Sequence, residues 1–191
     1  GCDAITKLKK LVDMGEATIS DNEKFTINIT LDKENELITI TDNGLGMTAD
    51  EIKEYINNIA FSGATAFLEK YSEKMEQGSE IIGHFGLGFY SSFMVADKVE
   101  IDSLSYKEDA QPVNWICEGG IDYQLEDGHK ETRGTTITLH IGEDGKAFLE
   151  EYKLREILTK YCNFMPVDIY LNTIDNKKEE ATSVVSDENE I

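Results

Sequence analysis

Residues 37–52 read LITITDNGLGMTADEI, and the stretch changes character twice. From Leu37 to Thr41 apolar and polar residues alternate, the period of a strand with one buried face. At Thr48 a helix opens, because Glu51 stands three residues on and the two make a capping box that satisfies two otherwise orphaned amides. Ile52, Tyr55, Ile56 and Ile59 then recur at helical spacing as its buried stripe. Between strand and helix lies Asp42-Asn43-Gly44-Leu45-Gly46-Met47. Two glycines around one apolar residue let the backbone turn tightly and approach a ligand closely. A carboxylate at a strand end can accept a hydrogen bond from an exocyclic amine. A plain Asp-Asn-Gly turn between strand and helix would account for the same residues without a ligand.

Working outward, Phe25, Ile27, Ile29 and Leu31 alternate as a second strand, and residues 32–36 form a polar turn, so 25–41 predicts an antiparallel hairpin. Ala4, Ile5, Leu8, Leu11 and Val12 have helical spacing and read as the back half of a longer amphipathic helix. Phe67, Leu68, Tyr71 and Met75 predict another helix, and residues 83–95 a glycine-rich turn running into an apolar helix. The period then falls to two at Val99 and Ile101, Trp115 and Cys117, Ile121 and Tyr123, and Ile137, Leu139 and Ile141, with Trp115 a core residue. A helix over 147–161 carries Phe148, Tyr152, Ile157, Leu158 and Tyr161, and Val167, Ile169 and Leu171 make a last strand. Strands in runs rather than strict alternation predict an α+β fold, with helices on one face of a mostly antiparallel mixed sheet. From Asn176 onward acidic residues dominate, so the expected division is a domain over 1–174 and an acidic tail, or the start of a charged linker, over 175–191.

Composition bounds the function. The 191 residues carry 38 acidic and 18 basic side chains, a net charge of −20. That excludes binding nucleic acid through counterion release and docking on an anionic membrane. No apolar run reaches the roughly 18–20 residues that span a bilayer. Cys2, Cys117 and Cys162 are far apart, no CxxC occurs, and His84, His129 and His140 lack zinc-ligand spacing, which predicts free thiols in a reducing cytosol and no metal site. A calcium loop over 140–151 fails because His140 stands where Asp is required.

Three further segments could carry chemistry. Gly83-His84-Phe85-Gly86-Leu87-Gly88-Phe89-Tyr90-Ser91 precedes a helix and can present amides and a helix N-terminus to phosphates. It lacks the Walker lysine, and its GxxGxG spacing is not the GxGxxG of dinucleotide-binding folds. A flexible hinge is the plain alternative. Arg133-Gly134-Thr135-Thr136-Ile137 starts a strand, where a buried hydroxyl can hold a base or a bridging water. Ile59-Ala60-Phe61-Ser62-Gly63 supplies a helix cap and a joint, and the polar, glycine-punctuated stretch after it is of the kind that forms lids.

The order of these motifs resembles the GHKL ATP-binding superfamily of type II topoisomerases, heat-shock chaperones, sensor histidine kinases and mismatch-repair proteins. Within it the chain is most similar to the 90-kilodalton heat-shock chaperone family, bacterial HtpG type. Asp3-Ala4, Asp42 to Met47, Ile59 to Gly63, Gly83 to Ser91 and Arg133-Gly134-Thr135 carry the resemblance, which runs from Gly1 to about Leu171. It implies a two-layer α/β sandwich (the Bergerat fold) holding ATP or ADP with Mg2+ between helices and sheet, in a cytoplasmic chaperone that hydrolyses ATP to drive client folding. Histidine kinase, topoisomerase and mismatch-repair ATPases share the fold and are the alternative, but the Ile-Ala-Phe-Ser-Gly and Gly-Phe-Tyr-Ser segments fit the chaperones better.

By the same resemblance, Asp42 accepts from the adenine amine, helped by Thr135 through water, and Gly46 and Met47 border the base. Gly86, Leu87, Gly88 and Phe89 give amides to the phosphates, and residues 60–85 form the lid. Asp3 and Lys7 lie on the helix lining the pocket, near the ribose and the mouth, and Ile56, Ser62 and Gly63 complete the nucleotide contacts. The family's magnesium-binding Asn would fall just before Gly1 and its catalytic Glu one turn earlier, so no catalytic or metal residue is expected within the chain, and the first strand and the start of the first helix are expected to be missing. Phe61 stands where Lys is common, and His84 where Gln is frequent. The chain alone is therefore expected to bind nucleotide weakly and not to hydrolyse it. Clients and a homodimer partner would engage other domains.

Overall fold

Inward-facing Ile27, Ile29 and Leu31 on one strand set the register for the whole sheet. The computed structural model describes residues 1–56, 89–119, 122–174 and 180–185. After helix α1 (Cys2–Asp13) come strands β1 (Thr26–Asp32) and β2 (Leu37–Asp42), then helix α2 (Ala49–Tyr55). A short 3₁₀ helix (Tyr90–Met94) leads into β3 (Ala96–Leu104), β4 (Val113–Cys117), β5 (Tyr123–Asp127) and β6 (Gly134–Ile141). A second 3₁₀ helix (Glu143–Leu149), helix α3 (Glu151–Cys162), β7 (Asp168–Ile174) and β8 (Glu180–Val185) follow. The eight strands run β5-β4-β3-β6-β2-β1-β7-β8. Among the described residues only β1 and β7 pair in parallel; the other neighbours are antiparallel.

The register puts the apolar side chains on one face. Ile29 faces Ile40, Ile40 faces Ile137, Ile137 faces Ile101, and Ile101 faces Trp115, one cross-strand row. Ile5 of α1, Ile52 of α2 and Leu158 of α3 join the same core cluster, so the helices cover this face. The other face is polar, with Thr41 and Thr136 hydroxyls 3.1 Å apart and His140 Nε2 2.7 Å from Glu100 Oε1. A one-residue slip would turn every buried isoleucine to water, and each fully buried aliphatic side chain is worth about 1.5–3 kcal/mol. The α+β two-layer sandwich expected from the order of strands and helices is thus the architecture found.

The capping box at α2 is present. Thr48 Oγ1 accepts from the Glu51 amide at 3.3 Å, and Glu51 Oε2 accepts from the Thr48 amide at 2.8 Å. Thr48→Ala is expected to destabilise the domain by about 1 kcal/mol and Thr48→Ser to leave it unchanged. Urea midpoints read both, and an alanine variant at the wild-type midpoint would show that the box contributes nothing.

Three expectations are corrected. Residues 147–149 belong to the 3₁₀ helix, and α3 buries Leu158 with the half-buried Leu154 and Cys162 packed beside it, while Tyr152 and Tyr161 are 71% and 64% exposed. The true stripe follows i, i+4, i+8 from Leu154, and the tyrosines sit off it. The apolar helix expected up to residue 95 is, among the described residues, the five-residue 3₁₀ helix that ends at Met94, itself 75% exposed. Of the stretch expected as a solvated tail, Glu180–Val185 pairs antiparallel with β7. Its Ala-Thr-Ser-Val-Val core favours a strand over the surrounding charge. The helix read at Phe67 to Met75 lies outside the described residues. Cys2, Cys117 and Cys162 are free thiols, and burial pushes the Cys2 and Cys162 thiols up, which keeps them protonated and unreactive.

Candidate functional site

One row of the apolar face breaks its own rule. Asp42 of β2 faces Ile27 on one side and Thr135 of β6 on the other, and Thr135 faces Ser103 of β3. Asp42, Thr135 and Ser103 are all buried, with Ser103 fully enclosed. Buried polar groups in an apolar layer are tolerated only when hydrogen-bonded. These are: Asp42 Oδ1 accepts from the Gly44 amide at 2.9 Å, Ser103 Oγ accepts from the Met47 amide at 2.9 Å, and the Ser103 and Thr135 hydroxyls are 2.9 Å apart.

The turn after β2 is fixed from three sides. Gly46 has φ +63°, and a Cβ there would sit 1.9 Å from the Leu104 carbonyl oxygen, so only glycine allows the turn to lie on the end of β3. The Tyr106 amide bonds the Leu45 carbonyl at 2.8 Å on the same side. From α1, the Ala4 carbonyl accepts from the Leu45 amide at 3.3 Å. From the residue just before β6, Arg133 donates through Nε to the Gly44 carbonyl and through Nη2 to the Asn43 carbonyl, both at 2.9 Å, and its Nη2 also pairs with Glu23. The Asn43 side chain accepts from the Thr26 amide at 2.9 Å and donates to the Lys24 carbonyl at 2.8 Å.

The structure brings together several of the residues singled out in the sequence. Asp42, Gly46, Met47 and Thr135 converge on this row. Asp3 and Lys7 stand one turn apart on α1, the helix that touches the turn through Ala4; burial pushes the Lys7 ammonium below its ordinary pKa, and Asp3 partly opposes that. Ile56 follows the last turn of α2 and packs against the core. The Phe89 ring meets Trp115 edge-on at 5.5 Å, which seats the last residue of the glycine-rich loop on the same face of the sheet as Asp42. Ser62, Gly63, Gly86, Leu87 and Gly88, with residues 60–85, Phe61 and His84, lie outside the described residues.

Sequence reasoning missed Ser103, Glu23 and the role of Arg133. Ser103 had a signal, being a hydroxyl at the inward phase of Val99-Ile101-Ser103. Glu23 had none, since its partner is 110 residues away. Among the described residues no group of three or more His, Cys, Asp or Glu side chains is placed to hold a metal ion. Nor, among them, is any helix long and apolar enough to cross a membrane.

A family model described as "Histidine kinase-, DNA gyrase B-, and HSP90-like ATPase" matches residues 16–124. The chain is 50% identical over 167 residues to a chaperone protein HtpG of Bacteroides thetaiotaomicron, covering 87% of this chain and 24% of the relative. It is 41% identical over 189 residues to one of Porphyromonas gingivalis, covering 99% and 27%, and 37% identical over 179 residues to one of Aliivibrio fischeri, covering 93% and 28%. The chain thus spans about a quarter of the length of these relatives.

Proposed function

Because the chain belongs to the histidine kinase-, DNA gyrase B- and HSP90-like ATPase family, we propose that it is the ATP-binding domain of an HtpG-type chaperone. The observation that carries this reading is the polar row Asp42–Thr135–Ser103 on an otherwise apolar face, beside a turn that glycine lets approach closely. An apolar wall with a few placed polar groups is what a flat, hydrogen-bonding base requires. Asp42 accepts from the exocyclic amine of adenine, Thr135 meets the ring directly or through water, and Gly46 and Met47 border the base. Asp3, Lys7 and Ile56 line the ribose side, Ser62 and Gly63 join them from the lid, and the amides of Gly86, Leu87, Gly88 and Phe89 hold the phosphates.

The binding unit runs from residue 1 through β8, the edge strand of the same sheet. The intact protein is a cytoplasmic ATPase that acts on client proteins and dimerises through other parts of its chain.

Calorimetry with ADP on the intact protein tests the reading. Asp42→Asn replaces one acceptor oxygen with a donor and is expected to weaken ADP by about 10–100-fold, the worth of a hydrogen bond to a charged group. Unchanged affinity in that variant would overturn the adenine assignment.

A further inference from the structure

We propose that Ser103 is a positioning residue that fixes the proton of the Thr135 hydroxyl so that Thr135 donates into the nucleotide site. The inference rests on the adenine reading above and asks which protein group makes that site read one edge of the purine. A serine hydroxyl has one proton and two lone pairs. In Ser103 one lone pair is taken by the Met47 amide at 2.9 Å. Its proton has two acceptors within reach, the Gly134 carbonyl at 3.2 Å and the Thr135 hydroxyl at 2.9 Å. Ser103 is fully enclosed, so no water competes for either.

The choice has a consequence outside the pair. With the proton on the shorter path, a one-way chain runs from the Met47 amide to Ser103 and on to Thr135, and the Thr135 proton is left for the site. With the proton on Gly134, Thr135 donates inward to Ser103 and shows the site only lone pairs. Asp42, as a carboxylate, shows only lone pairs in either case. The outward chain therefore sets an acceptor at Asp42 beside a donor at Thr135, directly opposite in register. That pair complements a purine edge carrying an amine next to a ring nitrogen with a free lone pair, which is adenine. It opposes guanine, which presents a carbonyl and a ring N–H there. The Met47 amide that starts the chain belongs to the glycine turn itself, so seating the turn on β3 also sets the direction of the donors.

The test compares ADP with 1-deaza-ADP, in which the ring nitrogen facing Thr135 is replaced by C–H, by calorimetry on the intact protein. Wild type is expected to bind 1-deaza-ADP about tenfold more weakly than ADP, one hydrogen bond's worth. Ser103→Ala should shrink that ratio to about twofold or less, and Ser103→Thr, which keeps the hydroxyl, should restore it. In a Thr135→Val background, Ser103→Ala should not change the ratio further. A purely structural Ser103 would weaken both ligands together and leave the ratio intact, which would overturn the proposal. Equal binding of the two ligands by wild type would overturn it as well, with no variant needed, so a Ser103→Ala chain that fails to fold does not protect it. Failure of the adenine reading looks different: wild type would then bind no ADP, or Asp42→Asn would bind it normally.

Discussion

Gly46→Ala lowers the stability of the domain by about 3–5 kcal/mol, roughly 10 °C in melting temperature for a chain of this size. Backbone strain and a steric clash add. The residue has φ +63°, where a side chain is strained by about 1 kcal/mol. The clash costs more: the new Cβ would lie 1.9 Å from the Leu104 carbonyl oxygen and 2.6 Å from its carbon, and backbone cannot swing aside as a side chain can. The turn must lift off β3, which breaks the Met47–Ser103 bond and the Tyr106–Leu45 bond together. Gly15 supplies the control, because it has φ +73° and nothing within 4 Å of a built Cβ. Gly15→Ala should cost only the strain, about 1 kcal/mol. Thermal and urea unfolding of the two variants separate strain from clash. Equal losses would mean that the turn does not rest on β3. ADP affinity should fall with Gly46→Ala and not with Gly15→Ala.

How much of this site the sequence disclosed depends on how local each interaction is. The capping box, the hairpin and the Asp42–Met47 turn span a few residues each, and their chemistry is written in consecutive letters. Asp42 and Thr135 stood out because each sits at a strand end within two residues of a glycine. Their pairing across β2 and β6 could not be read, since it depends on the 92 residues between them finding one register. The same holds for α3, where Leu158 was read correctly but Tyr152 and Tyr161 point to solvent, and Leu154 and Cys162 pack beside Leu158 in their place. β8 was hidden by composition: acidic flanks masked a short β-branched run whose partner strand supplies the hydrogen bonds. Ser103 was legible as an anomaly of phase, and only its three neighbours turn the anomaly into a role.

Arg133→Met is expected to cost about 2–4 kcal/mol and to weaken ADP about tenfold, although Arg133 need not touch the nucleotide. The guanidinium is mostly enclosed and joins β6 to the turn by bonds to two successive carbonyls, at Asn43 and Gly44. Glu23 holds it from the other side, and Asn43 ties the same turn to Lys24 and Thr26. Cutting Arg133 therefore leaves two carbonyls and a carboxylate without their donor while freeing the segment that aims Asp42. Arg133→Lys distinguishes charge from shape: an ammonium can keep Glu23, but it cannot span two adjacent carbonyls with a planar fork. Lysine should recover less than half of the lost stability. A double-mutant cycle with Glu23→Gln should give a coupling of at least about 1 kcal/mol, as expected for a part-buried pair sharing one network. Additive losses would show that Glu23 and Arg133 act separately. A Met variant as destabilised as expected but with wild-type ADP affinity would show that β6 carries the turn's stability without aiming its carboxylate.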